Sequence, residues 1–389
     1  MAGPPLRVFA KVGTRAACVG IFHSRPSTVA VPTFTQNVKM GQPPGQNLVR
    51  STTVDRLYRT VVQIEEAKKL IEQGDVAHLR LALILLDNAV EVMMHRVIES
   101  KMRHSDVYAR MLENFPANPS DPKGEEIRRE LATHVVPPKR QKEIRRVFGE
   151  KVKFLSEDND KIPLPCARAL NHLHDYRNET QHRDEVRSES ITAATLVYFD
   201  IAADLLVRLQ PGTTAWMGGK NYDWLKRYGL ETKFAPSEEL RPRIAEGLRA
   251  GLPLDIAGIR TALATHLMGR IEVMENQLNF IEEFLPLDVR AETPLKVVQF
   301  WHQNPRPPIH SPEQTHAQIH AFIAPHGPDA FTKWRAATDA LNAVEDKLEM
   351  FDRFATIEDE FEPLETMIDD YVSDIDRYVQ SQIDVARGK

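Results

Sequence analysis

Cysteine is scarce in this chain, whose 389 residues include only Cys18 and Cys166. The two lie in unrelated sequence contexts, with neither CxxC spacing nor a histidine at metal-ligand spacing, so we predict neither a disulfide framework nor a zinc site. So few cysteines are typical of a reducing compartment, and we expect a cytoplasmic protein. The sequence also has no run of about eighteen apolar residues, which argues against a membrane-spanning helix.

The sequence motifs of several enzyme classes are missing as well. There is no glycine-rich phosphate-binding loop, no serine paired with a base, and no pair of carboxylates at the spacing used for general acid–base chemistry. We therefore predict no cofactor and no resident metal. Hydrophobic residues make up 42% of the chain and charged residues 27%, which are ordinary fractions for a soluble globular protein.

Acidic residues are absent from the first 54 positions, which contain six lysines and arginines. Residues 341–389 show the opposite balance, with fourteen acids against five basic residues. Because an acidic surface repels nucleic acid, we expect any nucleic-acid-binding surface to lie in the first half of the chain.

Residues 1–48 are rich in proline, glycine, threonine and valine and lack helical periodicity, so we expect a disordered leader. Basic residues without acids are also found in organellar transit peptides, but the prolines and the lack of an amphipathic stripe count against that interpretation. Met40 offers an alternative start of translation.

Helical periodicity begins at Ser51. Apolar residues then recur at every third or fourth position up to Gly74, a spacing that predicts an amphipathic helix. Asp75 is the predicted N-cap of a second helix, which extends to about Ile98. Its polar residues form either a solvated, self-paired edge or a face toward the region of Arg177. They are Asp87, Asn88, Glu91 and His95.

Further helices are predicted in the first half of the chain. They lie at 106–115, from Pro163 to Tyr176, and from Ser188 to about Leu209. Together with the first two helices they predict a bundle of four or five helices over residues 50–210. The expected fold class is all-α.

The segment from Pro137 to Lys153 carries seven lysines and arginines and only two acids. Its apolar residues predict that it buries one face and exposes a positive stripe. Such a stripe is the expected footprint of phosphate binding, although a solvated charged face has the same appearance. The candidate RNA-binding residues are Lys139, Arg140, Arg145 and Arg146.

Residues 211–389 are predicted to form a second helical region. Its last two predicted helices, 328–354 and 361–386, carry long apolar stripes on acidic surfaces. Such stripes suit either an antiparallel pair of helices or an interface with a protein partner.

The most distinctive stretch is a polar cluster near the end of the first bundle. It contains Arg177 and His182, with the polar Asn178 directly after the arginine. The spacing alone carries little weight, because Arg129 and His134 are separated by the same number of residues. The setting is more informative, since a proline-led helix precedes the pair and a long apolar helix follows it.

On these residues the chain resembles the HEPN (higher eukaryotes and prokaryotes nucleotide-binding) superfamily of helical bundles. The family signature is an arginine, then a polar residue, then a histidine, and here it reads Arg177-Asn178-Glu179-Thr180-Gln181-His182. Leu81 to Ile98 is also similar to the family's early helix, which has an acid inside an apolar stripe. That similarity implies that Glu91 or Asp87 lies near the site. The resemblance covers about residues 50–210.

The resemblance implies metal-independent RNA cleavage at a site formed across a homodimer, in a toxin–antitoxin or anti-phage setting. Arg177 and His182 would be the catalytic residues, and Asn178 and Glu91 would support them. One toxin branch of the family has a tyrosine two positions after the histidine, where this chain has Asp184, so we do not assign the chain to that branch.

The chemistry of the two residues is compatible with this implication. Cleaving RNA without a metal requires a base for the ribose 2′-hydroxyl, an acid for the leaving oxygen, and cationic donors for the charge on phosphorus. His182 can move a proton near neutral pH, and Arg177 can bind two phosphate oxygens. Five positions along a straight helix rotate a side chain by about 140°. The two side chains therefore converge only if a helix begins between them or if the site forms across a two-fold axis.

Two other interpretations stay open. His172, His174 and His182 could bind a metal, although alternate positions on a helix point the rings apart. More plausibly, the bundle could bind RNA, a nucleotide or a protein without cleaving anything. The polar cluster would then be salt-bridged near Asp175 and Glu179.

Overall fold

The computed structural model describes most of the chain from Thr53 onward and shows an all-α protein. The described residues are 53–114, 122–157, 161–182, 188–210, 222–230, 237–285, 289, 292–304 and 312–387. For residues 179–182, 188, 189, 237, 312 and 313 the description covers the backbone alone. Every regular element within these ranges is helical, and they contain no strand. The leader predicted at 1–48 lies outside them.

Thirteen α-helices and two 3₁₀ turns make up the described part of the chain. The turns are Asp223–Tyr228 and Leu341–Ala343. The first bundle has seven helices, more than the four or five expected. The helices are α1 (Thr53–Gln73), α2 (Val76–Glu113), α3 (Pro122–Thr133), α4 (Pro138–Arg146), α5 (Phe148–Ser156), α6 (Leu164–His182), α7 (Ser188–Arg208), α8 (Ser237–Arg249), α9 (Ile256–Phe284), α10 (Pro294–Gln303), α11 (Pro312–Ala321), α12 (Asp329–Ala340) and α13 (Lys347–Ala386).

The helix α1 follows its predicted boundaries closely, but α2 is longer than expected. The side chain of Asp75 accepts a hydrogen bond from the backbone N–H of His78 at 3.2 Å, which confirms the predicted N-cap. The helix then continues to Glu113, so the residues from 106 onward are helical as predicted but belong to α2, and the prediction of a separate helix there is wrong. No glycine or proline interrupts α2, and the burial of Met102 and Ser105 extends its inner face.

The basic segment forms two short helices, α4 and α5. Val147 between them has extended backbone angles, with φ at −99° and ψ at 129°. After this break, Phe148 and Val152 turn into the core, and Lys151 is buried with them. The predicted buried apolar face is confirmed, but the basic residues are divided between two helices, and Lys151 does not contribute to the exposed surface.

The helix α6 carries the polar cluster. Pro165 lies in its first turn, and the helix continues without a break through Arg177 to His182, its last residue. A helix therefore does not begin between these two residues. Leu170 and Leu173 are buried on the side that faces α2, α5 and α7, and α6 also packs against α13.

The C-terminal half is helical as predicted, but its last two helices are divided differently. The predicted helix at 328–354 is interrupted after Ala343, and α13 runs for 40 residues through the predicted gap. Asp346 caps α13 by accepting hydrogen bonds from the backbone N–H groups of Leu348 at 3.0 Å and Glu349 at 2.8 Å. The apolar side of α13 packs mainly against α9 and α6 of the same chain.

One continuous apolar core includes residues on both sides of position 211, the proposed domain boundary. The helix α7 lies at its centre and contacts α1, α2, α6, α8, α9 and α13. By length and composition, Ser190–Arg208 of α7 is one stretch that could cross a membrane, and 78% of the apolar window in it is buried in the protein. A buried core helix has the same composition, so this stretch is weak evidence for a membrane.

Candidate functional site

Asp87 is a buried carboxylate in α2 on which three polar side chains converge. The hydroxyl of Tyr198 donates a hydrogen bond to Oδ1 at 2.7 Å, and Nδ1 of His174 lies 2.9 Å from the same oxygen. Nε of Arg177 lies 3.5 Å from Oδ2. We refer to these four residues as the Asp87 network, and it joins α2, α6 and α7.

Helical spacing explains why these groups meet. His174 and Arg177 are three positions apart on α6 and therefore share a face of that helix. Tyr198 is fully buried in α7, and only 2% of the Asp87 side chain is exposed. A carboxylate with so little access to water requires charged or hydrogen-bonding partners, and here all of them come from other helices.

Tyr198 remains protonated in this setting. Burial raises its pKa well above the usual value, and the adjacent Asp87 carboxylate raises the pKa further. The tyrosine hydroxyl therefore donates to the carboxylate at neutral pH and does not itself act as a base.

His174 is held from two directions. Its ring stacks on Phe148 with centroids 3.8 Å apart and planes 2° from parallel, while Nδ1 faces Asp87. Because an ionised carboxylate can only accept hydrogen bonds, Nδ1 is the ring nitrogen that carries the hydrogen toward Asp87. This arrangement suits an oriented acid–base histidine, and it equally suits a structural histidine at the edge of a core.

Arg177 is held in place by Asp87 and Asn178, and these contacts do not use all of its N–H donors. Only 24% of its side chain is exposed, and its Nη1 donates to Oδ1 of Asn178 at 2.9 Å. Nε is buried and has no hydrogen-bond partner among the described residues, since Asp87 is at ion-pair distance only. A guanidinium has five N–H donors, so this one can also bind an anion.

Of the other two predicted site residues, Glu91 pairs with a lysine, and the side chain of His182 is not described. Oε1 of Glu91 accepts a hydrogen bond from Nζ of the buried Lys151 at 2.7 Å, so Glu91 neutralises a cation of α5. His182 ends α6, and its side chain lies outside the described part of the chain. On this continuous helix His182 is rotated by about 140° from Arg177. The two side chains could converge only if a helix began between them or if the site formed across a two-fold axis. Because α6 is continuous, the second arrangement is the one left to consider.

The four candidate RNA-binding residues fall into two groups. Arg140 pairs with Glu150, and Nε of Arg145 donates to Glu99 at 2.7 Å. These arginines are half-buried and link helices of the same chain. Lys139 and Arg146, by contrast, are exposed on α4.

A second buried carboxylate, Glu358 of α13, packs against another face of α6 and was not predicted. Only 2% of the Glu358 side chain on α13 is exposed, and the carboxylate accepts hydrogen bonds from the Tyr176 hydroxyl and from Arg270. Nε2 of His266 lies 3.2 Å from it. This cluster joins α6, α9 and α13.

The spacing along α6 was a usable signal for this second cluster. Arg168, His172 and Tyr176 recur at every fourth position and therefore share a face. Nε of Arg168 donates to Asp352 at 2.8 Å, and Nδ1 of His172 lies 3.6 Å from Asp359. Burial is the main cause that raises the pKa of Asp359, and the charge of His172 opposes the increase. Polar contacts thus hold α6 against α13 as well as α2.

Two of the three histidines that were considered as metal ligands, His172 and His174, do not converge. Within the described ranges, no three histidine, cysteine or acidic side chains are grouped closely enough to hold an ion. His172 faces acids of α13, whereas His174 faces Asp87 of α2, so their rings point to different helices.

No protein-family model matches the chain, and comparisons with curated proteins and with solved structures give no match either. The function must therefore be argued from the residues and their geometry.

Proposed function

We propose that residues 50–210 form a HEPN-like module that cleaves RNA without a metal ion, with Arg177 and His182 as its catalytic residues and a homodimer as its active form. The ion pair between Arg177 and Asp87 is the observation that carries the proposal. It joins an acid inside the apolar stripe of α2 to the arginine of the family-like motif, within an all-helical bundle. The activity would suit a cytoplasmic toxin or anti-phage effector.

Arg177 is suited to stabilise a phosphate in the transition state. Asp87 and Asn178 fix the guanidinium before substrate arrives, so little reorganisation is needed when negative charge develops on phosphorus. Arginine also presents its donors in a planar fork that matches two phosphate oxygens. The cost of holding a partly buried cation is offset by the buried carboxylate beside it.

His182 supplies the proton transfer in this proposal. An imidazole can take the proton of the ribose 2′-hydroxyl or protonate the leaving 5′-oxygen, because it titrates near neutral pH. The rotation along α6 separates His182 from Arg177 of the same subunit. We therefore propose that each site combines the arginine of one subunit with the histidine of the other, related by a two-fold axis.

RNA would reach this site along the basic surface of α4. Lys139 and Arg146 are exposed there, whereas Arg140 and Arg145 already pair with acids. Replacing Lys139 and Arg146 with glutamine should weaken RNA binding and flatten the dependence of affinity on salt. Fluorescence anisotropy with a labelled RNA at several salt concentrations measures both. An unchanged salt dependence would mean that α4 is only a solvated face.

The catalytic proposal is tested by incubating the purified full chain with RNA in the presence of a chelator. Wild type should cleave, and Arg177→Ala and His182→Ala should each lower the rate by about 10²–10⁴-fold. Arg177→Ala leaves the buried Asp87 without its ion-pair partner, so thermal melting and gel filtration must check that both variants are still folded and keep the oligomeric state of wild type at the assay temperature.

His134→Ala is the matched control, because His134 is exposed and its sequence relation to Arg129 repeats that of the catalytic pair. His266 is unsuitable as a control, since it is buried against Glu358 and its loss would disturb the core. Normal cleavage by Arg177→Ala and His182→Ala would reject the assignment of both residues.

A non-catalytic RNA-, nucleotide- or protein-binding module is the alternative, and one observation favours it. Arg177 is already neutralised by Asp87, as in a purely structural ion pair. If wild type binds RNA in the anisotropy experiment but leaves every RNA intact in the chelator experiment, the binding module is the correct interpretation.

A further inference from the structure

A cavity of about 450 Å³ lies beside the middle of α2, between α1, α2, α8 and the end of α7. Its lining is unusually basic. Five arginines from three helices line it: Arg56, Arg59, Arg96, Arg103 and Arg241. The volume is within the range of about 300–1,000 Å³ that is typical of small-molecule sites.

Within the described ranges, none of these five arginines forms an ion pair with an acid. Glu99 is the single acid in the lining, and it already accepts a hydrogen bond from Arg145 of α4 at 2.7 Å. The sequence that leads into α1 cannot compensate either, because the first 54 residues contain no acid. Five like charges in one concave surface repel one another unless an anion joins them.

Two of the arginines are held rigidly in the wall. Nη1 of Arg96 donates to the carbonyl of Arg56 at 2.9 Å and to Oγ1 of Thr60 at 2.8 Å. Nη1 of Arg241 donates to the carbonyls of Leu206 at 2.8 Å and Leu209 at 3.3 Å. These bonds to uncharged oxygens orient both guanidinium groups without neutralising either.

The repulsion is reflected in the acidity of these groups. Burial lowers the pKa of Arg241 to about 10, and the charge of Arg96 contributes to the decrease. Burial also lowers the pKa of Arg96, and Arg56 and Arg59 lower it further. Both groups remain protonated at neutral pH, so the cavity keeps its charge.

The other three arginines complete the cavity at its rim. Arg56 and Arg59 of α1 and Arg103 of α2 are exposed, so their side chains can close on a ligand. A structural role as donors to neighbouring helices accounts for Arg96 and Arg241, but it gives no reason for three further arginines at the same place. Thr53 also lines the cavity, and the positive end of the α1 dipole adds to its attraction for anions.

We propose that this cavity binds a small molecule that carries two or more phosphate groups. Arginine forks match phosphate oxygens in pairs, and five of them exceed what a single phosphate can use. The concave shape favours a compact ligand over an extended RNA strand. The inference does not rest on Arg177 or His182, so RNA cleavage and phosphate binding can succeed or fail separately.

Isothermal titration calorimetry of the full chain with sodium tripolyphosphate, in a buffer without phosphate, tests the proposal. Wild type should bind tripolyphosphate more tightly than orthophosphate. The triple variant Arg56→Gln, Arg59→Gln, Arg103→Gln should lower the affinity for tripolyphosphate by at least about tenfold, which is the effect expected for losing a single charge-assisted bond to phosphate. It removes exposed side chains only, and a thermal melt checks its fold.

The matched control removes the same charge from ordinary surface positions. Lys333→Gln, Arg353→Gln, Arg377→Gln takes three exposed cations from α12 and α13 and should bind like wild type. If both triple variants bound tripolyphosphate equally more weakly than wild type, the effect would come from the net charge of the protein, and the proposal would be overturned. Failure of wild type to bind tripolyphosphate would also overturn it. The proposal would likewise be overturned if an RNA oligonucleotide bound in a way that required Arg56, Arg59 and Arg103 while tripolyphosphate did not bind.

Discussion

The Asp87 network and the arginine cavity both include residues of α2, but they differ in whether a carboxylate compensates the positive charge. Arg177 faces a carboxylate that is almost fully buried, so its charge is balanced inside the chain. Arg96, nine residues after Asp87 on α2, faces other arginines and neutral oxygens. Balanced charge fixes the geometry of a site, whereas unbalanced charge indicates that a neutralising group comes from outside.

The comparison also separates the roles that one residue type can have. Arg177 is positioned by the fold and can act on a substrate without moving far. The rim arginines of the cavity are exposed and adjust to a ligand. The two sites should therefore respond differently when a charge is removed, and this difference can be measured.

The largest effect is expected when the balancing acid is removed. Asp87→Ala leaves Arg177 partly buried without its carboxylate and deprives Tyr198 and His174 of their acceptor. Removing one partner of a buried ion pair typically costs about 3–5 kcal/mol in the free energy of unfolding. Urea denaturation followed by circular dichroism measures it. A loss below about 1 kcal/mol would mean that the network does not stabilise the bundle.

A smaller, pH-dependent effect is expected for Tyr198→Phe. Loss of one hydrogen bond to Asp87 should cost about 1 kcal/mol near neutral pH. The raised pKa of Tyr198 also makes the free energy of unfolding depend on pH. Above pH ~10 the unfolded chain loses the tyrosine proton while the folded chain keeps it. This difference lowers the wild-type free energy of unfolding by about 1.4 kcal/mol per pH unit.

Phenylalanine has no such proton, so the advantage of wild type over Tyr198→Phe should shrink as the pH rises above about 10. Denaturant titrations of both proteins at pH values from neutral to alkaline measure the difference. A constant difference across this range would contradict the raised pKa of Tyr198.

The smallest effect is expected in the cavity. Replacing the exposed Arg56 and Arg59 with glutamine removes two charges that repel Arg96, so the free energy of unfolding should stay within about 0.5 kcal/mol of wild type. The measurement requires a buffer without phosphate or sulfate. A loss comparable to that of Asp87→Ala would show that these arginines are structural and would remove the contrast between the two sites.

The sequence predicted helices well and their interruptions poorly. Apolar periodicity located α1 and α7, because each buries a continuous stripe. It failed near position 106, where polar residues suggested an end, although Met102 and Ser105 carry the buried face of α2 onward. It also failed at Val147, where neither proline nor glycine announces the break between α4 and α5.

The candidate site could be predicted only in part, for a physical reason. Arg177, Asn178 and His182 are adjacent in sequence and form a recognisable pattern. The arginines of the cavity come from α1, α2 and α8, and the partners of Glu358 come from α6 and α9. Such sets are assembled by tertiary packing, so no local pattern indicates the cavity, and the spacing along α6 indicates only one face of the Glu358 cluster.

The central claim is that Arg177 of one subunit acts with His182 of the other, and a heterodimer tests it most directly. Arg177→Ala and His182→Ala chains with different affinity tags are co-expressed, the heterodimer is purified through both tags, and RNA cleavage is measured with a chelator present. Across a two-fold axis one of its two sites keeps both residues, so the account predicts about half of the wild-type activity. Because sites built within single subunits would each lack one residue, a heterodimer as inactive as the two homodimers, beside an active wild type, would contradict the account.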